Sequence, residues 1–489
     1  MNDDSQSKNY TTLEKPKSTL TLDKLTNESS YSKYPKLNFL NSTICLFIDG
    51  IEINLYIFLL IPLKEYFKFS NTYEEFCASI IFFGFAIGSF ITGYITKIYG
   101  RTIILKLISI SIVFFHLLMI IFFNKVIFFI IRFFMGISLG LYVVIFLNLF
   151  GEYRPISTRG FHLVLLWAIY QFACLIQILI GLIIMPNYEK NRLRSLISIY
   201  LIFPIIGSVI HYFTLFDSPR NLIVNGEKDL AFYILKDMNK NIELSDEEKL
   251  KIENEVNVIS SNKNIRNHIY DLFNKDLSQT TILLFLIFFI LSGAYYGINV
   301  LTSITQKKLN GNKNEKNHNV IISQLTFTLI TIFLTFGSAF IIELKFLGRK
   351  GLMIICFILA AIISIPSVYS KRGYGVLIGI FISATFICAN TLITYVVEIY
   401  PTKLRDLSTG FQFMCYRIFC GFAQIWMLAL FHINFRLPYF IYCFLCIFGG
   451  LLIYILPYET KDRPLDSKYH NTETDNLNIS QNDNLFKQN

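Results

Sequence analysis

Two carboxylates stand three residues apart inside an apolar run, Asp49 and Glu52 in Ile48-Asp49-Gly50-Ile51-Glu52-Ile53. That spacing places both on one face of a helix. Apposed carboxylates in a low-dielectric setting repel, and one of them takes up a proton to relieve it. The pair therefore reads as a proton-coupling element, with a structural hydrogen bond to a neighbouring helix as the plainer alternative. Arg417 lies in a second apolar run. Its guanidinium stays charged, so it must meet a carboxylate, carbonyls, water or an anionic ligand, which it can hold bidentately. Tyr170, Tyr295, Tyr296, Asn299 and Asn390 are phenols and amides in apolar surroundings. Such groups read hydroxyl or carboxylate ligands by hydrogen bonds. With Arg417 they make up the expected binding set.

A second group of residues recurs. Gly100-Arg101 returns 248 residues later as Gly348-Arg349, each three residues after a lysine, Lys97 or Lys345. Glu152, Pro155 and Arg159 return 246 residues later as Glu398, Pro401 and Arg405. Two independent motifs at nearly one offset indicate duplicated halves, as in many membrane carriers. A Glu at one helix end and an Arg at the next can pair across the loop in one state and separate in another. Gly100, Arg101, Glu152, Arg159, Gly348, Arg349, Glu398 and Arg405 are therefore the expected gating set. As ordinary helix-end charges they would each contribute only roughly 0.3–1 kcal/mol.

The elements that must position these residues are apolar runs of about 20 residues, the length that crosses a bilayer. Twelve occur, at 42–60, 76–97, 103–123, 126–149, 162–185, 195–216, 281–303, 320–342, 352–370, 374–396, 407–430 and 439–456. None shows the period-two alternation of a membrane β-barrel. They fall six and six, giving an N-terminal bundle over 42–216 and a C-terminal bundle over 281–457. The polar segment 217–280 between them is expected to carry exposed amphipathic helices at Asp229–Lys240 and Ser245–Val258. The ends, 1–41 and 458–489, are rich in Asn, Lys, Ser and Asp and read as disordered tails. Gly84, Gly88 and Gly93, with Gly136 and Gly140, have the small-residue spacing of close helix contacts. Arg132 reads as a residue reaching for the headgroups, and His116 and His211 as packing residues.

Composition narrows the function classes. Of 489 residues, 53% are hydrophobic and 16% charged, with a mean hydropathy of +0.50. That is far from a soluble domain, which averages about a quarter charged. The net charge of +10 is spread over loops and tails and does not imply nucleic acid. All nine cysteines lie in apolar runs, against a disulfide framework or a thiolate zinc site. There is no Walker loop and no His-Glu-x-x-His motif, so no ATP-driven pump, enzyme, cofactor or metal is expected.

Several of these segments are shared with a known family. Gly93-x6-Gly100-Arg101, Arg132, Glu152…Arg159-Gly160, Ser218-Pro219-Arg220 and Glu398-Ile399-Tyr400-Pro401-Thr402…Arg405 resemble the sugar-porter-related part of the major facilitator superfamily, over about 40–460. Lys97 and Lys345 depart from that pattern, which usually has Asp there. The seventh run, Leu291-Ser292-Gly293-Ala294-Tyr295-Tyr296-Gly297-Ile298-Asn299, lacks the glutamine pair of sugar porters. With Asp49-Gly50-Ile51-Glu52 and Asp271-Leu272-Phe273…Thr280-Thr281 it looks like the synaptic-vesicle-protein and niacin/organic-ion branch. The resemblance implies an all-α membrane protein, twelve transmembrane helices in two pseudo-symmetric six-helix bundles, with both tails and the linker in the cytoplasm. Short-loop Lys and Arg are too evenly shared to fix that side by charge. It implies a secondary transporter working by alternating access on an organic acid or vitamin-type carboxylate, pantothenate- or nicotinate-like, with proton coupling. A facilitative hexose or polyol carrier, favoured by Ser218-Pro219-Arg220, and a transport-dead receptor or scaffold are the alternatives. The expected partners are the lipid bilayer, the solute and protons. The expected setting is a monomer in the plasma membrane or an organelle membrane.

Overall fold

In lipid every backbone N–H and C=O must be satisfied within the protein, so long apolar runs become helices. The computed structural model describes residues 22–461 apart from 30–31, 69–70, 186–189, 240–243, 261–268, 275–276, 300, 303–304, 306–316, 371–372 and 401. The twelve runs appear as α1 (Lys33–Phe67), α2 (Asn71–Tyr99), α3 (Arg101–Ile121), α4 (Lys125–Glu152), α5 (Arg159–Ile184) and α6 (Leu193–Thr214), then α7 (Ser278–Gly297), α8 (Asn317–Ile341), α9 (Gly348–Tyr369), α10 (Tyr374–Ile399), α11 (Thr402–Ile433) and α12 (Leu437–Ile455). Helices α2 to α12 each contain a stretch long and apolar enough to cross a membrane. Helix α1, with 35 residues, runs about 52 Å at 1.5 Å per residue, more than a bilayer core requires. The first and last described residues, the described parts of the linker and the short turns after α2, α4, α8 and α10 share one side, the terminal side.

The two halves meet along two seams. Helix α2 packs on α4 of its own half and on α11 of the other, while α5 packs on α1 and on α8. A Cβ at Gly84 or Gly88 would strike the carbonyls of Phe133 and Ile137 in α4. A Cβ on Gly93 would come 2.7 Å from the Leu407 Cα in α11. The spaced glycines thus set both the α2–α4 contact and the α2–α11 seam.

Four expectations need correction. The N-terminal tail is not wholly disordered: Leu22–Glu28 is helical and α1 begins at Lys33 rather than near 42. Leu22, Leu25 and Tyr34 are buried, and that apolar burial offsets the entropy of ordering. Asn41 and Arg154 add hydrogen bonds to the Thr214 and Pro35 carbonyls, at 3.0 and 2.6 Å. The C-terminal tail is likewise ordered through Lys461, because Glu459 accepts hydrogen bonds from the Arg349 and Lys350 amides at 3.0 and 2.9 Å, capping α9. The run at 195–216 is interrupted, with Leu193–Tyr200 and Ile202–Thr214 meeting at Leu201. Pro204 cannot donate to the Tyr200 carbonyl, and the helix breaks there. The linker carries helices at Pro219–Val224, Lys228–Met238 and Asp246–Ser260. The second of these buries Ala231, Ile234, Leu235 and Met238 rather than standing fully in solvent.

Candidate functional site

Gly100 and Gly348 have φ of +76° and +58°, a left-handed conformation that glycine adopts without penalty. Each lets a new helix start at once, with Arg101 or Arg349 in its first turn. Arg101 is almost fully buried and bonds Glu152 at 2.8 Å through Nη1 and Asp406 at 2.9 Å through both Nε and Nη2. Arg405, from the other half, reaches the second Glu152 oxygen at 3.1 Å, and the Ser218 hydroxyl also donates to Glu152. Asn148 donates to Asp406 and to Thr409 Oγ1, both at 2.8 Å. Sequence reasoning missed Asp406. It faces Arg101 from the opposite half and supplies a carboxylate to a motif that carries Lys97 where an Asp is usual. The signal was there, a second charge directly after Arg405. Asp217, on the loop after α6, is half-buried nearby. Burial, with Glu152 adding and Arg101 opposing, pushes its carboxyl up to about 6.

The repeat in the C-terminal half is built differently. Arg349 grips Glu398 with Nε and Nη2, at 3.0 and 2.9 Å, and reaches Glu343 at 3.5 Å. The Thr460 hydroxyl donates to Glu398 at 2.6 Å. Glu343 accepts a hydrogen bond from the Phe161 amide of the other half at 2.8 Å. Arg159 is buried at the start of α5, next to Gly160, which lies against Arg349. Pro401 lies outside the described residues.

At the middle of the span the structure separates the two carboxylates. Glu52 turns into its own half, with Oε1 2.6 Å from His116 Nδ1 and Oε2 4.0 Å from Arg132 Nη1. Arg132 also donates to the Glu52 carbonyl at 3.0 Å. Since α4 begins at Lys125, Arg132 is two turns inside and buried; it does not reach the headgroups. His116, expected as packing, bridges Glu52 to the Ile197 carbonyl, 2.9 Å from Nε2. Asp49 is fully buried, and among the described residues neither of its oxygens has a hydrogen-bond partner.

A turn of π-helix at Gly293–Gly297 shifts Tyr295 and Tyr296 inward; its mark is the Ile298 amide bonding the Gly293 carbonyl five residues back. Such turns recur at functional sites. Arg417 donates to the Tyr296 hydroxyl at 2.7 Å. Its guanidinium carbon stands 4.1 Å from the Phe85 ring centre, with Phe82, Tyr296 and Tyr416 at 5.5 to 5.7 Å. Beyond Tyr295 a cavity with about 60 Å³ of free space is lined by Asn54, Gln171, Gln177, Tyr295, Asn299 and Gln324, with Cys174 and Thr331 among the rest. These positions lie in the halves of α1, α5, α7 and α8 away from the terminal side. Of the expected binding set, Tyr295 and Asn299 line this cavity. Tyr170 adjoins it through Asn54 Nδ2, 3.1 Å from its hydroxyl. Tyr296 and Arg417 sit behind it, and Asn390 is buried in α10 outside its wall.

Residues 11–469 match the family described as Sugar (and other) transporter. The chain belongs to that family, within the major facilitator superfamily. It is a multi-pass membrane transporter. It is 24% identical over 416 residues to the synaptic vesicle 2-related protein of Xenopus laevis, spanning 80% of this chain and 72% of the relative. The match to the rat protein of that name spans 60% of its length. Organic cation/carnitine transporter 7 of Arabidopsis thaliana is 22% identical, over 85% of this chain and 90% of its own. The fold matches the proton:xylose symporter XylE bound to 6-bromo-6-deoxy-D-glucose with a TM-score of 0.74, at 18% identity over 88% of this chain and 98% of that one.

Proposed function

We propose that this transporter is a secondary active carrier of a small organic carboxylate, working by alternating access and driven by protons. The observation that carries the reading is Arg417. It is a permanent charge, 2% exposed, with no carboxylate in contact among the described residues. It sits between the two halves and beside the cavity. A buried guanidinium is costly unless an anion meets it, and a substrate carboxylate would do so bidentately. The terminal side is closed by the Arg101–Glu152–Arg405 cluster, while the cavity lies toward the far side. This fits a carrier open away from its termini.

Proton coupling is assigned to Glu52 with His116 and Arg132. A carbonyl only accepts, so His116 Nε2 carries a hydrogen toward Ile197. The 2.6 Å contact on the other ring nitrogen then needs one shared proton, on the imidazole or on the carboxylate. Without it two acceptors would face each other, and Glu52 would move to Arg132, 4.0 Å from Oε2. Loading and release of one proton thereby become a change of partner between α3 and α4.

The second reading, a hexose or polyol carrier, is favoured by the cavity wall, whose polar groups are uncharged amides and hydroxyls. Uptake of labelled nicotinate, pantothenate and hexose into proteoliposomes under an imposed pH gradient separates the two. The carboxylate reading expects acid-stimulated uptake of a carboxylate that Arg417→Gln abolishes and Glu52→Gln uncouples from pH. Hexose uptake indifferent to Arg417→Gln would replace it with the second reading, and movement of no solute would favour a scaffold.

A further inference from the structure

Coupling through Glu52 leaves Asp49 unexplained. Its carboxylate is fully buried midway along α1, beside Gly50, where a Cβ would come 2.8 Å from the Tyr170 carbonyl of α5. Among the described residues no donor reaches either oxygen. A buried ionised carboxylate in that condition is strongly destabilising until a counter-charge or donor arrives. Arg417 is near enough for each to sense the other's charge, yet no ion pair joins them. Arg417 spends one nitrogen on Tyr296 and leaves Nε without a partner. Tyr170 packs beside Asp49, against Gly50, while Tyr296, Phe82, Phe85 and Tyr416 surround the Arg417 guanidinium.

A buried anion and a buried cation held apart, each lacking its partner, make a dipolar socket. A neutral sugar answers neither charge. A simple carboxylate satisfies Arg417 but is repelled by Asp49, and a simple ammonium does the reverse. A zwitterion satisfies both. Resting on the reading of Arg417 as a carboxylate anchor, we propose that the substrate is a zwitterion, with its carboxylate on Arg417 and its ammonium group on Asp49.

The test is thermal unfolding of the purified full chain, since a ligand that binds only the native state raises its stability. The probes are ω-amino acids of three to six carbons, each set against the carboxylate in which a methyl replaces the ammonium group. Propylammonium serves as the cation alone. For one chain length the amino acid is expected to half-saturate at a concentration about tenfold lower than its methyl counterpart, the effect of roughly one well-placed charge. Asp49→Asn should erase that preference, Asp49→Glu should keep it, and Arg417→Gln should weaken both members of the pair alike. Equal binding of the two members by wild type, or a preference that survives Asp49→Asn, overturns the zwitterion and leaves the carboxylate anchor standing. If neither member binds and glucose stabilises instead, the anchor fails too. Should Asp49→Asn not fold, the wild-type pairs and Asp49→Glu still decide.

Discussion

The two copies of the duplicated motif carry the same residues and do different work. In the N-terminal copy Arg101 and Glu152 are bound from across the seam by Asp406 and Arg405. In the C-terminal copy Arg349 and Glu398 hold each other, steadied by Thr460 of the same half. Across the seam the Phe161 amide donates to Glu343. The first copy is a clamp between halves and the second a clip within one. Duplication therefore fixes where the charges lie, while the neighbour on the next helix decides what they hold. Separating the halves on the terminal side breaks the Arg101 clamp and leaves the Arg349 clip intact.

Breaking the clamp should give the largest effect. Glu152→Ala takes away the carboxylate that Arg101 and Arg405 share across the seam, leaving Arg101 to Asp406, and removing one partner of a buried pair costs about 3–5 kcal/mol. The sealed state should be lost and uptake should fall at least tenfold, measured in proteoliposomes. Arg349→Ala should lower the melting temperature by several degrees, yet leave the balance between sealed and open states near that of wild type. An equal shift of that balance in both variants would erase the distinction.

Asp406→Asn sharpens the comparison at smaller scale. It keeps the shape but removes charge-assisted bonds worth about 1.5–3 kcal/mol to Arg101. A double-mutant cycle of Arg101→Ala with Asp406→Asn should show clear coupling across the seam, whereas Arg349→Ala with Asp406→Asn should be additive. The smallest effect is that of pH through Asp217. Its folded carboxyl, near 6, lies above the unfolded value of about 3.9. The native state therefore binds the proton more tightly, and the contribution present below pH 4 is lost as pH rises through 6. Asp217→Asn removes this slope. Its melting temperature should gain on wild type by roughly 1–2 °C between pH 5 and pH 8.

Much of this fold was legible because membrane crossing leaves a strong mark. Apolar runs of the right length gave the twelve helices, and the offset of Gly100-Arg101 and Glu152 from their copies gave the halves. The glycines of α2 were legible by spacing, and their close contacts follow. What escaped depended on tertiary partners. The polar start of α1 looks like tail until Asn41 meets the Thr214 carbonyl. Nothing local to His116 shows that Glu52 waits opposite it. Asp49 and Glu52 share a helix face by spacing, but three residues advance about 300°, so they stand some 60° apart. That offset lets one turn to α3 and α4 and the other to the seam. Arg405 was visible as half of a motif, while Asp406 belonged to no pattern in its own half.

The most direct test of a carrier whose halves part on the terminal side is a distance across that side. Spin labels at Ile98 and Phe346, 71% and 83% exposed on opposite halves, report it by pulsed electron resonance in a functional cysteine-depleted protein. One short distance should dominate in wild type, a longer one should take over in Glu152→Ala, and Arg349→Ala should stay close to wild type. A single unchanged distance in all three proteins would contradict the account.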